Sequence, residues 1–215
     1  GEFLFVPPLL KDLPAGYITT VAGIGQFIGF HRPATQAEVT NGCGIAFDLH
    51  GNTYLAEPGL NMVSVVRQNG VLEPFAGTGN VLGLKIGNGG AAVDAELNYP
   101  RGVTTDSNGN VYIPDQNQRV WRVNTSTGIA TIIAGNGTAG YSGDGGPAIN
   151  AVLGDATMIT GDGKGTIFFI DYDQVTSGTR IRRITPDGII STVAGNGIQG
   201  FSGDGGLATL AEFNL

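Results

Sequence analysis

Asp144 and Asp204 stand in identical Ser-Gly-Asp-Gly-Gly turns. Carboxylates flanked by backbone carbonyls could hold a hard cation such as calcium. The competing role is a turn in which Asp accepts neighbouring backbone N–H groups and glycine supplies positive φ. Verbatim repetition favours the turn, and the spacing lacks the alternating oxygen ligands of a helix-loop-helix calcium site. Glu57, Asp115 and Asp171 each close a short apolar run, with Asp173 two residues on and Arg119 and Arg180 following. A ring of such carboxylates could bind a cation or move protons. Paired with the arginines they would instead brace a hairpin, worth ~0.2–1 kcal/mol where exposed. Bracing is favoured, and Asp171 and Asp173 keep a functional role because a longer loop, 171–179, surrounds them. His31 and His50 are the only imidazoles, too few for a three-histidine zinc site. No serine is singled out as the nucleophile of a triad. Cys43 is alone, so the chain forms no internal disulfide and no thiol–metal cluster. No catalytic residue and no cofactor is expected; calcium is the one candidate cation.

The elements that place these residues are repeated. Val21-Ala-Gly, Phe75-Ala-Gly, Ile133-Ala-Gly and Val193-Ala-Gly recur at steps of 54, 58 and 60 residues. The last two extend into Gly135-Asn-Gly-Thr-Ala-Gly-Tyr-Ser-Gly-Asp-Gly-Gly and Gly195-Asn-Gly-Ile-Gln-Gly-Phe-Ser-Gly-Asp-Gly-Gly. Gly44-Ile-Ala-Phe-Asp-Leu-His-Gly-Asn-Thr-Tyr-Leu-Ala-Glu aligns with Gly102-Val-Thr-Thr-Asp-Ser-Asn-Gly-Asn-Val-Tyr-Ile-Pro-Asp, and more loosely with 158–171. A period of this length marks stacked supersecondary units.

Each unit parses into four strands: 43–48, 52–57, 62–67 and 71–76; 101–106, 110–115, 119–123 and 129–134; 157–162, 166–171, 180–184 and 189–194. Asn69-Gly70, Thr127-Gly128 and Asp187-Gly188 supply tight hairpins. The fold class is therefore all-β, a propeller of four-stranded antiparallel blades. Blade 1 covers about 43–77, blade 2 about 101–135 and blade 3 about 157–195, with a trailing linker at 196–215 and an extended segment at 1–17.

The Gly-Val-x-x-Asp-x-x-Gly-Asn-x-Tyr-x-x-Asp … Arg-x-x-Arg-Val pattern resembles the NHL repeat. The Gly-Asn-Gly … Ser-Gly-Asp-Gly-Gly-x-Ala linker is similar to the extracellular bacterial variety of that family, over 18–215. The resemblance implies a propeller, most often six-bladed, that holds another molecule on one face, outside the cell or in its envelope. Related propeller lyases use several histidines around a zinc, which this chain lacks. Residues 18–23 read as an outermost strand with no blade before it, and the sequence stops just short of another inner strand. Three blades are fewer than a ring needs. Either the chain is a piece of a longer protein, the favoured reading, or a homo-oligomer completes the ring.

Strand alternation places the fourth-to-first linkers and the second-to-third loops on one face. Tyr141, Asp144, Asp171, Asp173, Phe201 and Asp204 are the candidate ligand-binding residues of that face, since long loops on a rigid scaffold carry binding. Of 215 residues 37 are glycine, and Lys+Arg total 11 against 18 Asp+Glu. A net charge of −7 argues against nucleic acid, which needs a basic face. No apolar run reaches the ~18 residues of a membrane span. The expected partner is a protein, peptide or glycan. The leading function is a non-catalytic binding scaffold. The alternatives are a fragment of a six-bladed lyase or hydrolase with a channel cation, and a self-assembling structural repeat.

Overall fold

Asp48, Asp106 and Asp162 each open a hairpin by gathering backbone N–H groups onto one carboxylate. Asp106 accepts from Asn108 N and Asn110 N at 2.9 Å, from Asn110 Nδ2 at 2.8 Å and from Tyr112 Oη at 2.8 Å. Asp48 repeats this with His50, Asn52 and Tyr54, and Asp162 with Lys164 and Thr166. Gly51, Gly109 and Gly165 follow three residues on at positive φ, where a Cβ would be strained. The Asp-x-x-Gly-Asn-x-Tyr spacing is thus one turn with its tyrosine latch.

The computed structural model describes residues 30–37, 39, 41–79 and 87–214. Its elements are almost entirely strands: β1 (Arg32–Pro33), β2 (Gly44–Phe47), β3 (Thr53–Glu57), β4 (Met62–Val66), β5 (Val71–Ala76), β6 (Thr104–Thr105), β7 (Asn110–Asp115), β8 (Arg119–Asn124), β9 (Ile129–Ala134), β10 (Asp155–Gly161), β11 (Ile167–Asp173), β12 (Gly178–Ile184) and β13 (Ile190–Ala194). They form three antiparallel sheets, ordered β1-β5-β4-β3-β2, β6-β7-β8-β9 and β10-β11-β12-β13. The fold is all-β, with three propeller blades side by side.

The same irregularity marks every blade. Register shifts between Val63 and Ser64, between Val120 and Trp121, and between Ile181 and Arg182. The unpaired residues opposite are Phe75, Ile133 and Val193, the first members of the repeated x-Ala-Gly triplets. A bulge there sharpens the twist of the outer strand.

Successive blades pack face to face. Tyr54, Val65 and Phe75 of blade 1 share a core with Val103, Val111, Ile113 and Trp121 of blade 2. Tyr112 and Val120 of blade 2 meet Ile167, Phe169, Ile184 and Ile190 of blade 3. Linker residues Ala92, Ala95 and Leu97 fill the first seam, and Ala148, Ala151 and Leu153 fill the second.

The linkers themselves depart from expectation. Their middle portions do not lie on the loop face; each runs antiparallel along the outer strand of the following blade. Gly145 N donates to Ile190 O, Ile190 N to Gly146 O and Ala148 N to Gly188 O. Gly89, Gly90 and Ala92 make the same bonds to Ala130 and Gly128. Ala34 N donates to Gly70 O beside β1, so 31–34 is the same device on blade 1. His31 therefore sits at that outer edge, its N–H on Leu72 O, rather than on the loop face. The physical reason is an exposed sheet edge, which a glycine-rich strand satisfies. The strand expected at 18–23 lies outside the described residues. The front of blade 1 leaves Ile45 and Phe47 exposed, and the terminal linker leaves Leu207 and Leu210 exposed.

Candidate functional site

A buried carboxylate closes the second strand of every blade, and the third strand supplies its partner. Ser64 Oγ donates to Glu57 in blade 1. Trp121 Nε1 donates to Asp115 Oδ2 at 3.1 Å in blade 2. Arg182 Nη1 pairs with Asp171 Oδ2 at 2.7 Å in blade 3. The expected partners Arg119 and Arg180 lie directly across the ladder from Asp115 and Asp171, yet their guanidinium groups go elsewhere. Arg119 Nη1 donates to Asn117 O, and Arg180 Nη2 to Asn196 O, which pins the Gly-Asn-Gly turn. The bracing residue is two positions further on because alternation returns it to the same sheet face.

The carboxylates also anchor the incoming inner strand. Asp115 accepts Asn98 N at 3.4 Å and Asn117 N at 3.0 Å; Asp171 Oδ1 accepts Gly154 N at 2.6 Å. Burial pushes Asp115 up to about 7, only partly offset by the Trp121 indole and the two backbone donors. Burial raises Asp171 as well, with the Arg182 charge pulling it back.

Tyr141, Asp144 and Asp171, three of the predicted site residues, meet around one side chain. Arg182 is wholly buried and reaches from Asp171 to Asp144 Oδ1 at 3.0 Å and Ser142 O at 3.2 Å. Tyr141 Oη donates to Asp144 Oδ2 at 2.9 Å, and its ring lies beneath the Arg180 and Arg182 guanidinium groups at 3.7 and 4.8 Å. Burial opposes ionisation of Asp144, but bonds from Thr192 and Tyr141 and the Arg182 charge hold it below the ordinary carboxylate range. This cluster docks the linker onto blade 3. Phe201 and Asp204, the equivalent residues of the terminal linker, are both exposed and join no such cluster.

The loop face does carry a depression, centred on a residue that sequence reasoning missed. Asp155 begins β10 and is only 5% exposed. Its carboxylate accepts Gln118 Nε2 at 3.3 Å and Gln174 Nε2. Beside it lies a cleft of about 650 Å³, lined among others by Arg101, Gln116, Thr157, Tyr172 and Gln174. A second hollow of about 370 Å³ is lined among others by Asn98, Gln118, Asp173 and Thr176. Gln116, Asp155 and Gln174 line both, so the two form one groove between blades 2 and 3. Asp173 is the predicted site residue that lines it, while its carboxylate caps its own loop through Val175 N at 2.9 Å. Asp171 lies just below, holding the Gly154 N–H that precedes Asp155. No signal in the repeat marked it: the aligned position reads Asn41, Tyr99, Asp155, and its immediate neighbours vary as well. Among the described residues no group of three or more His, Cys, Asp or Glu is arranged to hold a metal, and no helix is long and apolar enough to cross a membrane.

No family profile matches the chain. Mouse teneurin-3 is 34% identical over 101 residues and mouse teneurin-4 is 35% identical over 106, which is 41% and 43% of this chain and 4% of either relative. The chain thus matches a small fraction of those proteins' length. Among solved structures, a gluconolactonase of Xanthomonas campestris superposes with a TM-score of 0.51 at 14% identity, covering 77% of this chain and 51% of its own. An auxiliary nutrient binding protein of Bacteroides thetaiotaomicron gives 0.52 at 18% identity, covering 80% and 40%. These neighbours are propeller-like, and they include both enzymes and binding proteins; at such identities the likeness is one of fold.

Proposed function

We propose that the protein is a non-catalytic binding module of NHL type, which holds a partner in the groove around Asp155 on its loop face. The observation that carries this reading is the convergence of Gln116, Asp155 and Gln174 from two blades on one open groove. A lyase or hydrolase would need a reactive group facing substrate. The carboxylates whose pKa burial raises, Asp115 and Asp171, are instead buried between blades and occupied by indole, guanidinium and backbone donors. The same reading places the protein outside the cell or in its envelope, with nucleic acid disfavoured by the net charge of −7.

The test is binding to immobilised peptide, protein and oligosaccharide arrays by the wild type, Gln174→Ala and Asp204→Ala. Gln174 is an exposed loop residue whose amide bonds the buried Asp155, so thermal melting of each variant accompanies the binding measurement. Loss of signal in Gln174→Ala with retention in Asp204→Ala is the expected result. Signals equally strong in both variants would place the binding surface elsewhere.

A further inference from the structure

The groove has a chemistry more specific than its position, and it favours one class of ligand. Its walls carry four carboxamides, Asn98, Gln116, Gln118 and Gln174. Each carboxamide has both a donor and an acceptor; Asn98, Gln118 and Gln174 spend amide N–H groups on Asn117, Gln116 O and Asp155, so these three offer a ligand mainly their carbonyl oxygens. Hydroxyl groups also donate and accept, so a surface of amides complements a polyol without a fixed charge pattern. Thr157 adds a hydroxyl of the same dual character.

The charges on the walls oppose the other classes. Arg101 lines the larger hollow, Asp173 the smaller and Asp155 both. An anionic ligand would face two carboxylates. A cationic ligand would face the Arg101 guanidinium, and Asp155 is already engaged by Gln118 and Gln174. An apolar ligand would strip water from amides that it could not repay with hydrogen bonds. Met158, Ile170 and Tyr172 also line the larger cleft. Such an apolar lining suits the C–H face of a sugar ring, while the ring's equatorial hydroxyls would meet the amides. The groove's size lies in the usual range for a small-ligand site, and its two connected hollows suit a ligand of linked units.

We infer that the Asp155 groove binds a neutral, hydroxyl-rich ligand of the oligosaccharide class. This rests on the loop-face reading above and specifies its ligand. In the bound state Gln116 and Gln174 hydrogen-bond hydroxyls of adjoining units, and Asp155 orients Gln174 from beneath.

The experiment is a titration of the wild type, Gln116→Ala and Gln174→Ala with unsubstituted gluco-, manno- and galacto-oligosaccharides. Sulfated oligosaccharides and neutral tripeptides serve as comparison probes, and thermal melting confirms that each variant is folded. At least one neutral oligosaccharide is expected to bind the wild type, and each variant to weaken it about 10-fold, the loss of one good hydrogen bond. Sulfated counterparts are expected to bind more weakly than their parent sugars. Absence of binding by every neutral oligosaccharide at about 5 mM overturns the inference. Tripeptide binding with the same sensitivity to both variants overturns the ligand class while leaving the loop face as the site. Oligosaccharide binding unaffected by either variant overturns both readings.

Discussion

The linker at 135–154 and the linker at 195–214 share a glycine-rich motif, a backbone course and the bonds of Asn136 and Asn196, yet their aspartates and aromatic residues do different things. Gly135 N bonds Ala148 O and Asn136 N bonds Ala151 O; Gly195 N bonds Ala208 O and Asn196 N bonds Ala211 O, all at 2.9–3.0 Å. The first linker has blade 3 against it. Its Ala148 is fully buried, and Asp144 is bonded to Arg182, Tyr141 and Thr192. In the second linker Ala208 is exposed, as is Phe201 at 88%. Asp144 and Asp204 are therefore the same residue in the same turn with different energetic roles. The turn is a local product of glycine and Asx geometry; the role is conferred by the blade that docks on it.

Arg182 offers the strongest way to break that comparison. Arg182→Ala removes the cation between Asp171 and Asp144 and leaves a buried carboxylate unpaired. The expected loss is about 3–5 kcal/mol in urea unfolding, with the Asp155 groove disturbed because Asp171 also holds Gly154 N. A loss under about 1 kcal/mol would show that water or a rearranged partner replaces the guanidinium.

The next effect separates blade 2 from the linker by pH. Asp115 titrates near 7 in the folded protein against roughly 3.9 when unfolded, so the folded state binds its proton more tightly. Its contribution is fully present below about pH 4 and lost as pH rises towards 7, on the order of a few kcal/mol. Asp171, also raised, acts in the same direction. Asp144 is lowered, and its contribution has the opposite sign: present above the unfolded pKa and lost as the solution becomes more acid. Asp115→Asn is expected to flatten the fall in stability between pH 4 and 7; an unchanged slope would assign that fall to Asp171.

The smallest effect sharpens the comparison directly. Asp144→Ala is expected to cost about 1–2 kcal/mol, through loss of bonds to charged and hydroxyl donors. Asp204→Ala is expected to stay within about 0.5 kcal/mol of the wild type, as for a surface position without partners. Equal costs in paired melting curves would mean that the aspartate acts within its own turn and not on the docked blade.

Much of the architecture was legible because it repeats. Observed strands such as Asn110–Asp115 and Ile129–Ala134 coincide with those read from alternation and turn residues, since a hairpin is specified by its own few residues. The partner of Asp171 was less legible. Arg180 and Arg182 lie on the same sheet face, and only the seam with blade 2 and the linker decides which guanidinium is buried. The course of the linkers was hidden for a related reason, because an edge strand is defined by the neighbour that it covers. Asp155 carried no motif at all, and its burial arises only where loops of two blades converge.

The sequence by itself determined the blade, its Asp-x-x-Gly-Asn turns and its tight hairpins. All of these are short-range, set by backbone sterics and hydrogen bonds within a few residues or one hairpin. Only the tertiary structure decided that Arg182 rather than Arg180 holds Asp171, that Asp144 is a docking contact, and that Gln116, Asp155 and Gln174 share a groove. Those outcomes depend on which desolvated groups face one another across blades, and no local spacing encodes that.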